Sequence, residues 1–297
     1  MKRYKSEKAR QNILRTYDLI LAQWGVDLTE RDLPGDFGTT HVICWGNREA
    51  PPLLLFHGVG DDSALMWLDN AKALSEHFCL YAVDTIGGPG KSVPSDAYFR
   101  AFDDIRWLQQ VLDGLELDRF FVAGVSNGAY LTQLVCRAFP ERAVKGVALA
   151  GTVPAGKPGG HWSVMMKIFL PEALFPTRSN MIRLIDKLTG ENGARLVENE
   201  LFMEHYTWLL KGFNPMAMSF HKIEPFTDEQ IDALRPKVFY LMGDEDPFAK
   251  LGGKERLIQH GMNARFFART GHAINQERAR EVETALIGFL LGDTGPA

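Results

Sequence analysis

An apolar run, Arg119 to Gly128 (RFFVAGVSNG), ends in a G-x-S-x-G pentapeptide formed by Gly124, Val125, Ser126, Asn127 and Gly128. Its Phe and Val content predicts a strand, and Ala129 to Phe139 a helix leaving directly behind it. So sharp a turn forces its central residue into a strained backbone, and glycines on either side let strand and helix approach closely. The strain lifts the Ser126 hydroxyl clear of the chain. It also aims the amides of the first helical turn at the space above that hydroxyl, where a developing oxyanion would be stabilised. The competing reading is an ordinary strand-to-helix turn with a capping serine, and the remaining partners decide between the two.

Strand-like runs recur on both sides of this turn. Gly38 to Trp45 is β-rich, Pro52 to Phe56 is a second run ending in His57-Gly58, and Phe78 to Val83 is a third. Leu53 to Phe56 is apolar at every position, as expected of a strand covered on both faces. With helices over Ala71 to His77 and Phe102 to Leu115 and a strand over Ala143 to Ala150, the alternation implies an α/β fold, a doubly wound and mostly parallel sheet. The rhythm breaks from Thr152 to Asp228, where helical patterns are punctuated by Pro154, Pro158, Pro171, Pro176 and Pro215. A strand resumes at Lys237 to Met242, so the segment is expected to be a helical insertion. The resulting division is a helical lead over 1–30, a core over 31–151 and 229–297, and a cap over 152–228. Apolar residues of the cap, notably Met165, Phe169 and Trp208, are candidate substrate contacts.

At 297 residues the chain can bury a large core, and a net charge of −4 gives no electrostatic footprint for nucleic acid. No window approaches a membrane span. The basic N-terminus lacks an apolar core and a cleavage site, so it reads as an amphipathic helix and not as a signal peptide. Cys44, Cys79 and Cys136 are odd in number and widely separated, which predicts buried free thiols in a reducing cytoplasm. His161, His205 and His221 are too irregularly spaced for a metal site, and no metal or cofactor is expected. Asp84 to Ser92 (DTIGGPGKS) imitates a phosphate-binding loop, but Thr85 stands where the first Gly is needed and Pro94 follows; a turn pinned by Asp84 is expected instead.

Two further turns fall where ligands bind in open α/β sheets, at carboxyl ends of strands. His57-Gly58-Val59-Gly60 can present the Val59 amide as an oxyanion donor, or be a plain glycine-rich turn with His57 bonded to backbone. Gly243-Asp244-Glu245-Asp246-Pro247 offers carboxylates, of which Asp246 sits deepest in the turn and is rigidified by Pro247. After the last strand-like run, Asn263 to Ala268, comes Arg269-Thr-Gly-His272, and a helix over Gln276 to Leu291 closes the chain. A serine hydroxyl is a poor nucleophile unless a histidine removes its proton, and a carboxylate must hold that histidine in the right tautomer.

Ser, Asp and His in this order along the chain resemble the α/β-hydrolase fold. More narrowly, GTTHVICWGNREAPPLLLFHG, YAVDTIGG, PERAVKGVAL, FTDEQIDALRPKVFYLMGDEDP and GHAINQE resemble bacterial carboxylesterases of the carboxylesterase NP kind. The resemblance implies a serine hydrolase without cofactor: Ser126 as nucleophile, His272 as general base and acid, Asp246 as the orienting carboxylate. It also implies the Val59 and Asn127 amides as the oxyanion hole and a helical lid at the insertion. Two departures stand out, a turn after Asp84 one residue longer than usual and the polar Asn127 beside the nucleophile. A small-molecule carboxylic ester is the expected partner, with a homodimer as an admissible assembly. Other acyl transfer, C–C bond hydrolysis, or ligand binding without catalysis on the same scaffold are the alternatives.

Overall fold

Strands β1 (Leu28–Gly35), β2 (Gly38–Gly46), β3 (Pro52–Phe56), β4 (Cys79–Val83), β5 (Val93–Pro94), β6 (Phe120–Val125), β7 (Ala143–Leu149), β8 (Val238–Gly243) and β9 (Asn263–Phe267) form one sheet. Their order is β1-β2-β4-β3-β6-β7-β8-β9, with β5 pairing on β2. From β4 to β9 every pairing is parallel, while β1, β2 and β5 add an antiparallel edge. The computed structural model describes residues 1–155, 161–170 and 172–292.

The continuous apolar strands are explained by two buried faces. Leu53, Leu55, Ala123, Val125, Val147 and Leu149 pack into one core, and Leu54, Phe56, Val122, Ala148, Tyr240 and Met242 into another. Successive side chains of a strand point to opposite faces, so a strand buried on both must be apolar throughout. The carboxyl ends of the parallel strands β3, β4, β6, β7, β8 and β9 leave His57, Asp84, Ser126, Ala150, Asp244 and Ala268 along one edge of the sheet.

Several elements differ from the sequence expectation. The helical lead expected over 1–30 is a helix only over Glu7–Ala22, capped by Ser6, and Leu28 onward is strand β1. That strand (LTERDLPG) is charged and contains Pro34, which an edge strand tolerates and a central one does not. The expected closing helix is divided into Ile274–Glu277 and Ala279–Leu291. A helix over Asp228–Leu234, opened by a Thr227/Gln230 capping box, had no expected counterpart. Cys44 is only half-buried, while Cys79 and Cys136 are buried, and all three are free.

Between β7 and β8 lie helices His161–Phe169, Arg178–Leu188, Ala194–Glu198 and Glu200–Gly212 and a 3-10 turn, Pro215–Met218. Pro158 and Pro171 of the expected proline series, and the last residues of the 229–297 segment, lie outside the described residues. Phe202, Met203, Phe213 and Met218 are buried in the core that also holds Ile13, Tyr17 and Ile20 of the N-terminal helix. Gly212 sits so close to that helix that a Cβ would meet Ala9 Cβ at 2.7 Å. Met166, Phe175 and Met216 of the same insertion are exposed.

Candidate active site

Ser126 stands at the carboxyl end of β6 with φ 58° and ψ −112°, a backbone that side chains other than Gly rarely adopt. Glycines make this turn sterically open. A Cβ at Gly124 would meet Gly128 O at 2.3 Å, and one at Gly128 would meet Phe56 O at 2.4 Å. Strand and helix cross where only hydrogen atoms fit between their backbones. From Val122 to Cys136, Ser126 alone is half-buried where every other residue is buried. Ala150 (φ 48°) after β7 and Arg269 (φ 51°) after β9 are strained in the same sense, so three of the four such residues among those described line one edge of the sheet.

His272 follows β9 and Ser126 follows β6, three strand spacings away, roughly 14 Å at the usual spacing, so the histidine must reach back past β8 and β7. The loop after β9 does so by folding over the end of β8. Glu245 N–H donates to Thr270 O at 3.0 Å, and a Cβ at Gly243 would meet Thr270 O at 2.1 Å and Gly271 O at 2.4 Å. Asp246 waits beneath. Its Oδ2 lies 2.8 Å from His272 Nδ1, and its Oδ1 accepts from Phe248 N–H at 2.8 Å. The Asp246 side chain is 1% exposed, whereas Asp244 is exposed and its side chain caps no loop amide among the described residues. The Phe248 ring packs on the imidazole with centroids 4.4 Å apart. No hydrogen bond joins Ser126 Oγ to His272 Nε2 among the described residues; such contacts often tighten only when substrate is bound.

The turn after β3 packs on the serine, since a Cβ at Gly58 would lie 3.4 Å from Ser126 Cβ. His57 fixes its start. The buried ring accepts from Thr85 N–H at 2.9 Å through Nε2 and donates from Nδ1 to Gly58 O at 2.8 Å. Burial lowers its pKa, in keeping with a neutral ring that bonds only to backbone. The Val59 and Asn127 amides donate to no protein acceptor among the described residues. Asn127 Nδ2 is also buried with no hydrogen-bond partner among the described residues. Asp84 pins its loop as expected, accepting from Ser63 N–H at 3.1 Å and Lys91 N–H at 2.7 Å.

Sequence reasoning missed how the insertion grips the histidine loop. His272 N–H donates to Leu188 O at 2.7 Å, and Glu191 N–H to Arg269 O at 3.0 Å. Glu277 accepts from both Gly271 N–H (2.9 Å) and Gly190 N–H (2.6 Å). Burial raises the Glu277 pKa, opposed by those two amides. The signal available beforehand was the pair of glycines: a Cβ at Gly190 would strike Arg269 O and one at Gly271 would strike Leu188 O. Of the expected cap contacts, Phe169 packs on Phe248 at 6.4 Å between centroids, and so joins the His272 neighbourhood. Met165 is half-buried. Trp208 packs against the core that the insertion shares with the N-terminal helix. No group of His, Cys, Asp and Glu among the described residues has the arrangement of a metal site, and none of their helices is long and apolar enough to cross a membrane.

The family model for the alpha/beta hydrolase fold matches residues 51–278. The chain is 27% identical to carboxylesterase YbfK of Bacillus subtilis, over 94% of this chain and 93% of that protein. It is 29% identical to the uncharacterized carboxylesterase nap of the same organism, over 95% and 93%. The crystal structure of naproxen esterase (carboxylesterase NP) from Bacillus subtilis superposes with a TM-score of 0.80, at 22% identity, covering 96% of this chain and 99% of that one.

Proposed function

The chain belongs to the α/β-hydrolase fold family, and from that premise we propose that it is a serine carboxylesterase acting on small to medium apolar esters. The observation that carries this reading is the loop that crosses β8 to bring His272, braced by Asp246 at 2.8 Å, to the edge where Ser126 stands strained. Full-length relatives named as carboxylesterases support it.

In this mechanism His272 Nε2 takes the Ser126 proton as Oγ attacks the ester carbonyl carbon. The carbonyl oxygen becomes an oxyanion, which the Val59 and Asn127 amides stabilise. Collapse expels the alcohol, which leaves with the proton held by His272. Water then attacks the acyl-serine with His272 again as base, and the acid departs. Asp246 keeps Nδ1 protonated and stabilises the imidazolium at each stage. The unit from 152 to 228 acts as a cap over the acyl pocket, with Phe169 reaching it through Phe248. The three free cysteines support a cytoplasmic setting.

A panel of p-nitrophenyl esters of graded acyl length, run beside Ser126→Ala, tests the reading. Turnover that depends on Ser126 and on chain length supports it. A folded protein that binds esters without turning them over points to a ligand-binding module instead.

A further inference from the structure

Asp62 and His205 face each other with both side chains fully buried. The Asp62 carboxylate accepts from His205 Nε2 at 2.8 Å across 143 residues of sequence. On the other side of the ring, Nδ1 lies 2.6 Å from the Thr16 hydroxyl. The contact thus joins the loop after β3, the Glu200–Gly212 helix of the insertion and the N-terminal helix. The second Asp62 oxygen caps the short Ser63–Met66 helix, accepting from Leu65 N–H at 3.1 Å.

Apolar side chains of the same volume would hold these three segments together at least as well, so a buried polar pair calls for another role, of which fixing one geometry is the best attested. Its place in the chain says which geometry. Asp62 lies three residues beyond Val59, and the turn between is Gly58-Val59-Gly60, with Gly60 at φ +79°. Glycine on each side leaves the Val59 amide without local conformational control. Its position must come from the two ends of the turn. His57 holds one end to the core through Thr85 N–H, and Asp62 holds the other. We propose that His205 is a positioning residue that, through Asp62, lets the insertion set the Val59 amide at the oxyanion position. The inference rests on the esterase reading above.

The test compares a p-nitrophenyl ester with its thionoester, because a sulfur anion accepts hydrogen bonds poorly and the kcat/KM ratio of the pair reports the oxyanion donors. The variants are His205→Gln, Asp62→Asn and Thr16→Val, each checked for fold by circular dichroism; the milder two carry the test if His205→Gln fails to fold. The expected result is an oxygen-over-sulfur ratio reduced about tenfold or more in His205→Gln and Asp62→Asn, through kcat with KM little changed, and a smaller shift of the same sign in Thr16→Val. Folded variants that lose rate but keep the wild-type ratio, or that keep both, overturn the inference and leave the esterase reading standing. A wild-type protein that hydrolyses neither ester overturns both.

Discussion

The backbone N–H of His272 donates to the carbonyl of Leu188 at 2.7 Å, so the proposed general base is held in place by the insertion as well as by the sheet. Glu277 reinforces the join by accepting from Gly271 and Gly190 together. In Glu277→Gln one of the two N–H groups faces an amide NH2, and the loop loosens. The expected outcome is a fall in kcat of about tenfold or more with KM little changed, measured by steady-state ester hydrolysis. Unchanged kcat in the folded variant would remove Glu277 from the positioning of His272.

Asp246, the proposed orienting carboxylate, and its neighbour Asp244 offer a direct comparison. Asp246→Asn is expected to lower kcat by about 10³ to 10⁴, because the neutral partner permits the wrong histidine tautomer. Asp244→Asn, on an exposed side chain, is expected to leave it near wild type. The reverse ranking would reassign the role.

Gly243 tests the crossing of the histidine loop over β8. A methyl group there would lie 2.1 Å from Thr270 O and 2.4 Å from Gly271 O, both backbone atoms that cannot rotate away. Gly243→Ala is therefore expected to cost about 1 to 3 kcal/mol of stability, as overpacking does, and to lower kcat by displacing His272. Denaturant melts and kinetics on the same sample check both parts.

How much of this was legible in the sequence depends on the range of the interaction. The elbow was legible because Gly124, Ser126 and Gly128 are local, and their spacing has one steric meaning. The turns that carry Asp246 and His272 were legible because strand ends announce them. Strand β1 was not, since a charged edge strand with Pro34 lacks alternation. Nor was the Asp62–His205 contact, whose partners lie 143 residues apart, or the clasp of Gly190 on Glu277. Pattern reading sees periodicity and turns, while buried polar pairs appear only once the chain has closed on itself.

The proposed acyl pocket carries a prediction about specificity. Phe169 packs on Phe248, which in turn packs on His272. Phe169→Ala is expected to shift preference among ester chain lengths by about 1 to 3 kcal/mol in kcat/KM for the acyl groups that touched the ring. An unchanged profile in the folded variant would place the acyl site elsewhere.

At the far edge of the sheet, His41 sets a pH dependence of stability. Burial disfavours its charged form, but Glu30, Asp84 and Asp32 outweigh burial and raise its pKa. Glu30 Oε2 lies 2.9 Å from Nε2 and Asp32 Oδ1 2.8 Å from Nδ1. A folded-state pKa above the unfolded one means that this stabilisation is full below the unfolded value, about 6.5, and is lost as pH rises through the folded value. Hydrogen bonding to His41, against some burial, lowers the Glu30 pKa to about 2, so its own share is present above the ordinary carboxylate range and lost only in acid. Melting temperatures from pH 5.5 to 9 should fall more steeply in the wild type than in His41→Gln. Parallel curves would show that the site does not contribute.

The central claim is that Ser126 is a nucleophile activated by His272, and the most direct measurement is stoichiometric trapping. The protein is incubated with a p-nitrophenyl organophosphate, released p-nitrophenolate is counted against protein, and the modified peptide is located by mass spectrometry. The account predicts release approaching one equivalent, an adduct on Ser126, little or no release in Ser126→Ala, and much slower release in His272→Ala. Ester turnover at the wild-type rate in folded Ser126→Ala, or an adduct on any other residue, would contradict it.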